Sequence, residues 1–116
     1  MSDVVIYHNP KCSKSRQTLT LLNERGIEPS IVEYLKTPPD AAALDRILRL
    51  LGKEPRDLMR KKEAAYAESG ADDAGLDRAA QIALMVSNPK LIERPIVLAN
   101  GKAAVGRPPE DVLEIL

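Results

Sequence analysis

The sequence predicts an α/β fold: a mixed four-stranded sheet flanked by helices, with a helical insertion between a βαβ half and a ββα half. Three observations carry this. A short β-branched run opens the chain and leads through one helical segment to a second strand-like run. Helical spacing of apolar residues fills the middle, and Asn100-Gly101 separates two short apolar runs near the end. Two strands joined through a helix pair in parallel, whereas a two-residue hairpin adds antiparallel strands to the same sheet.

The elements follow in order. Val4, Val5, Ile6 and Tyr7 form a continuous apolar run, the pattern of a strand covered on both faces. Asn9 and Pro10 make a turn. From Ser13 to Arg25 the residues favour helix, with Leu19 and Leu22 on one face and Gly26 as terminator. Ile31 to Leu35 reads as the second strand.

Thr37, Pro38, Pro39 and Asp40 offer start signals for a helix whose Leu44, Ile47, Leu48 and Leu51 recur at i, i+3, i+4, i+7, and Gly52 ends it. Pro55 suits the first turn of another helix through Met59 and Arg60, which the Ala-rich stretch to Glu68 extends. A loop covers Ala71 to Gly75, and Leu76 to Val86 is a further helix. Ile96, Val97 and Leu98 are strand-like, "ANGKAAV" carries the hairpin, and "RPPEDVLEIL" ends in a helix bearing Val112, Leu113 and Leu116. The order is that of a thioredoxin-like plan in one domain over residues 1–116, with the insertion at about residues 38–88.

Composition narrows the function classes. The 116 residues suffice for one core without disulfides or metals. Seventeen basic and 17 acidic residues leave no net charge, so the global field attracts neither nucleic acid nor an anionic membrane. No apolar run approaches a membrane span and no targeting segment is evident, so a cytoplasmic location is expected. A single cysteine and a single histidine cannot fill a zinc site, and the cysteine has no internal disulfide partner.

That cysteine stands in "YHNPKCSKSR", where the strand gives way to the helix. A lone cysteine is commonly a small buried hydrophobe, but such a residue belongs among apolar neighbours, and Cys12 is flanked by Lys11 and Ser13, with Lys14, Ser15 and Arg16 following. At the first turn of a helix, unpaired N–H groups and the positive dipole end favour a thiolate, and the nearby cations and the hydroxyls of Ser13 and Ser15 add to that, so its pKa should fall below the free value of about 8.5. His8 either raises the local potential when protonated or orders the loop when neutral; sequence leaves both open. "CSKS" keeps the spacing of a Cys-x-x-Cys redox element with serine second, so an external thiol must complete any redox cycle.

Arg60, Arg94 and Arg107 each sit at a break in regular structure. A thiolate approaching an oxyanion meets repulsion of about 4 kcal/mol per unit-charge pair at roughly 4 Å near a protein surface. Guanidinium groups, binding oxyanions through paired donors, cancel it. Arg94 should travel with Pro95 toward the start of the first helix; spacing alone does not bring all three together.

"YHNPKCSKSR", "LMRK" at Arg60, "ERPIV" at Arg94 and "VGRP" at Arg107 together closely resemble the glutaredoxin-dependent arsenate reductases of the ArsC family, from residue 4 to the end of the chain. The resemblance implies a thioredoxin-like fold, Cys12 as the nucleophile toward arsenate or a similar oxyanion, and Arg60, Arg94 and Arg107 as oxyanion-binding and adduct-stabilising residues. His8, Asn9, Ser15 and Arg16 fall in the loop that supports the thiolate, and Pro95 matches a proline that is cis in such folds. The implied cycle runs from a thiol-arsenate adduct through attack by glutathione to reduction by glutaredoxin, with release of arsenite. Glutathione is then a co-substrate, and no tightly bound cofactor, metal, nucleic acid or membrane is involved. The better-known reductases continue past the position of Leu116 with a charged tail, which lies after all four motifs. Two alternatives share the likeness: a glutathione-linked thiol oxidoreductase of other substrate, and an Spx-like regulator of RNA polymerase, whose usual second cysteine is here Ser15.

Overall fold

A computed structural model describes residues 4–116, and the chain divides into two compact units. One takes the residues up to Thr37 together with Arg94–Leu116; the other is Pro38–Glu93.

The first unit holds the sheet. Strand β1 is Val5–Tyr7, helix α1 is Ser13–Glu24, strand β2 is Ser30–Val32, and strands β3 (Ile96–Ala99) and β4 (Lys102–Val105) form the closing hairpin. The strand order is β2-β1-β3-β4: β1 pairs in parallel with β2 (Ile6 opposite Ile31) and antiparallel with β3 (Ile6 opposite Val97), and β3 pairs antiparallel with β4. This is the thioredoxin-like mixed sheet. Asn100 and Gly101 both take positive φ, 54° and 72°, the geometry that lets a two-residue turn follow the twist of its strands. The core gathers Val4, Ile6, Leu22, Val97, Ala99, Val112 and Ile115.

Three local readings need correction here. Val5 and Tyr7 are only half-buried, so β1 is fully covered on one face rather than both. The second strand stops at Val32, because Lys36 and Thr37 donate their N–H groups back to the Glu33 carbonyl and close a turn. The C-terminal segment is a 3-10 helix, Pro109–Ile115, rather than an α-helix, and the residues it buries are Pro109, Val112 and Ile115, while Leu113 and Leu116 are half-buried.

The second unit is helical. Helix α2 (Ala41–Leu51) is capped by Asp40, whose Oδ1 accepts the Ala43 N–H at 2.7 Å, and ends at Gly52, left-handed at φ 67°. It buries Leu44, Ile47 and Leu48, and it packs against α4 (Arg78–Ser87), which Asp77 caps in the same way. The Pro55 segment is a single 3-10 turn, Pro55–Leu58, and the Ala-rich stretch forms its own short helix, α3 (Ala64–Glu68). Between them Met59 turns extended and bridges to Ile92. The helix anticipated through Met59 and Arg60 yields to that pairing, in which the Arg60 N–H donates to the Leu91 carbonyl and the Glu93 N–H to that of Leu58.

Candidate active site

The site is built where β1 hands over to α1. His8 continues the strand by donating its N–H to the Val32 carbonyl. The chain then folds on Asn9: its Oδ1 accepts the Lys11 N–H at 3.0 Å, and its carbonyl accepts the Cys12 N–H at 3.0 Å. Cys12 is the N-cap of α1, extended at φ −92° and ψ 124°, with its own carbonyl accepting the first helical N–H, from Arg16. The Asn-Pro turn thus sets the sulfur at the helix end, where the first N–H groups lack carbonyl partners.

The loop is held from beneath by Ser15, which has no exposed surface. Its Oγ accepts the Asn9 N–H at 3.1 Å and lies 2.6 Å from His8 Nδ1. Burial lowers the pKa of His8, opposed by the Glu33 carboxylate and assisted by Arg16. The imidazole is therefore neutral near pH 7, and its Nδ1 shares a hydrogen bond with the Ser15 hydroxyl. The Ser15 hydroxyl is consequently spent on the loop, not on the thiol as the sequence suggested. Arg16 is exposed and clamps the same loop, its Nη1 donating to the Pro10 carbonyl at 2.9 Å.

Two arginines reach the sulfur from the ends of the closing hairpin. Arg94 precedes β3 and Arg107 follows β4, so the β3–β4 hairpin pairing brings the two together. Arg107 Nε donates to the Arg94 carbonyl at 2.7 Å, and its Nη2 donates to Cys12 Sγ at 3.6 Å. The Arg94 guanidinium also bonds to the sulfur. The Arg94–Pro95 and Arg107–Pro108 peptide bonds are both cis.

Cys12 is only 9% exposed, yet its pKa is lowered. Burial pushes the thiol up; the Ser15 N–H, the hydrogen bond and charge of Arg94, and the Lys14 N–H outweigh it. The helix end thus acts through backbone donors, and the decisive cation is Arg94 rather than the flanking lysines. Arg107 is exposed and screened by solvent, whereas Arg94 is half-buried.

Cys12, Arg94 and Arg107 therefore share one point, with His8, Asn9, Ser15 and Arg16 in the loop that supports it and Pro95 buried beside Arg94. Arg60 belongs to the second unit, where it pairs with Glu63 and, at 3.5 Å from its Nε, with Glu93. The Arg94 carbonyl that anchors Arg107 had no signal in the sequence, since a backbone acceptor carries no residue type. Among the described residues, no three His, Cys, Asp or Glu side chains gather to hold a metal, and no helix is long and apolar enough to cross a membrane.

The fold and the site define a thiol protein of the thioredoxin-like class, its one cysteine poised at a helix start beneath two guanidinium groups. The chain belongs to the ArsC family, whose match runs over residues 7–115. It is 60% identical over 114 residues to the uncharacterised protein YfgD of Escherichia coli, covering 97% of this chain and 96% of that one. It is 50% identical over 117 residues to an arsenate reductase of Neisseria meningitidis, covering all of both. A solved arsenate reductase from Vibrio cholerae superposes with a TM-score of 0.96 at 54% identity, covering 99% of this chain and 98% of that one.

Proposed function

We propose that the protein is an arsenate reductase that draws its electrons from glutathione and glutaredoxin. The observation that carries this is the contact of both Arg94 and Arg107 with the Cys12 sulfur. A thiolate beside two guanidinium groups has both the nucleophile and the positive field that a tetrahedral oxyanion needs in order to approach it.

In the reaction the sulfur attacks arsenic, an As–O bond breaks, and the departing oxygen leaves as water after taking up protons. Arsenic is still pentavalent in this adduct. A glutathione thiol then supplies the second sulfur: two electrons pass from thiol sulfur to arsenic, an S–S bond forms between Cys12 and glutathione, and arsenite departs. Glutaredoxin reduces that disulfide and restores Cys12. The serine at position 15, where a resolving cysteine would stand, agrees with this dependence on outside thiols. Relatives named arsenate reductase along their whole length support the substrate. Arg60 joins the oxyanion-binding set through its "LMRK" motif alone.

The deciding experiment mixes the protein with arsenate, glutathione, glutaredoxin and an NADPH-driven recycling system. NADPH oxidation that requires arsenate and disappears in Cys12→Ser is expected. Its absence, with an authentic reductase active alongside, overturns the reading.

A further inference from the structure

Gly106 has no left-handed backbone to account for it, unlike Gly26, Gly52, Gly70 and Gly101. What it lacks is room. A Cβ at this position would lie 2.5 Å from Thr18 Oγ1, 2.8 Å from Pro95 Cγ and 3.3 Å from Thr18 Cγ2. Neither neighbour can give way easily. Thr18 is fully buried, stiff at χ1 as a β-branched residue, and its Oγ1 is tied to the Lys14 carbonyl at 2.8 Å. Pro95 is a closed ring in a buried position, and its carbonyl accepts the Gly106 N–H at 2.9 Å.

The three residues are each bound to the site by one short step of chain. Thr18 lies on α1, whose N-cap is Cys12; Pro95 follows Arg94; Gly106 precedes Arg107. We propose that Gly106 is a positioning residue: by carrying no side chain it lets α1 close onto the Pro95 and Gly106 backbone, and that closure sets the Arg94 and Arg107 guanidinium groups against the Cys12 sulfur. A methyl group there forces α1 away from this backbone and draws the cations off the sulfur. The inference rests on reading Cys12 as the reactive thiol, and its test separates the two.

The rate of Cys12 alkylation is followed against pH in folded protein, with circular dichroism and thermal melting as controls for folding. In Gly106→Ala the inflection rises toward that of free cysteine. The rate below the inflection falls about threefold for each tenfold loss of thiolate, the rest being regained in nucleophilicity. Thr18→Ala alone leaves the inflection in place. Gly106→Ala combined with Thr18→Ala returns it part of the way, because two of the three close contacts are gone and that with Pro95 stays. A purely structural role lowers the melting temperature without moving the inflection. The wild-type inflection in folded Gly106→Ala, or in the double variant if only that one folds, overturns the proposal. An inflection in the unaltered protein at the free-cysteine value would instead remove the reactive-thiol reading itself.

Discussion

Arg107 and Cys12 meet across almost the whole length of the chain, Nη2 standing 3.6 Å from Sγ. The contact exists because Arg107 Nε is anchored on the Arg94 carbonyl at 2.7 Å, which leaves the remaining guanidinium donors facing the sulfur. A lysine, with its donors on a single nitrogen, lacks the rigid fork that lets Nε hold the carbonyl while Nη2 faces the sulfur.

The two arginines should therefore separate experimentally. Arg94 is half-buried and gives the thiolate both a hydrogen bond and a charge, so Arg94→Ala should raise the pH at which Cys12 alkylation inflects and also lower kcat/KM for arsenate. Arg107→Ala, at an exposed position, should lower kcat/KM with a smaller change in the inflection. Each loses the equivalent of a charged hydrogen bond, about 1.5–3 kcal/mol, or roughly 10- to 150-fold in kcat/KM. Equal movement of the inflection in both variants would contradict the unequal screening argued above.

The thiol itself sets a pH dependence. Because its pKa lies below the ordinary thiol value, the folded protein gives up this proton at a pH where the unfolded chain still holds it. Stability from this group is complete above about 8.5 and is lost as pH falls through the folded value. Iodoacetamide labelling of Cys12 should accordingly inflect below about 8.5, and Cys12→Ser should abolish labelling. An inflection at or above the free-thiol value would show that burial wins over the N–H donors and Arg94.

What sequence made legible was local. The β1–α1–β2 start, the Asn100-Gly101 hairpin and α2 with its Asp40 cap each depend on neighbours within a few residues, so pattern and turn chemistry suffice. Met59 shows the limit: its segment reads as helix, but pairing with Ile92 far along the chain draws it into extended conformation. At the site, the Asn-Pro turn and the cysteine at a helix start were visible for the same local reason. The assignment of the Ser15 hydroxyl to His8, the spacing that Gly106 maintains and the anchoring of Arg107 on a backbone carbonyl are tertiary facts with no residue pattern of their own.

Stability of the helical unit should be separable from the thiol chemistry. Asp40 satisfies one of the otherwise unpaired N–H groups at the start of α2, and its replacement by alanine should cost about 1 kcal/mol. For a domain of this size that is a fall of roughly 3–6 °C in melting temperature. The Cys12 alkylation profile should not move. A shifted profile would mean that the capping of α2 reaches the thiol, contrary to a site whose thiolate contacts all lie in the first unit.

Acid sensitivity should trace to the His8–Ser15 pair. Burial lowers the pKa of His8, so above about 6.5 the ring is neutral in both folded and unfolded chains and contributes no slope. As pH falls below about 6.5 the unfolded chain takes up a proton that the folded ring refuses, and stability declines by at most about 1.4 kcal/mol per pH unit until the folded value is reached. Protonation of the ring makes Nδ1 a donor, so the Ser15 hydroxyl, 2.6 Å away, must then accept its proton. Urea midpoints measured from pH 7.5 to 5.5 should therefore fall more steeply for the unaltered protein than for His8→Asn, whose side chain does not titrate. Ser15→Ala, which removes the hydroxyl but keeps the imidazole buried, should retain the slope while lowering stability at every pH. Parallel slopes for the unaltered protein and His8→Asn would place the acid sensitivity on other groups and remove His8 as its source.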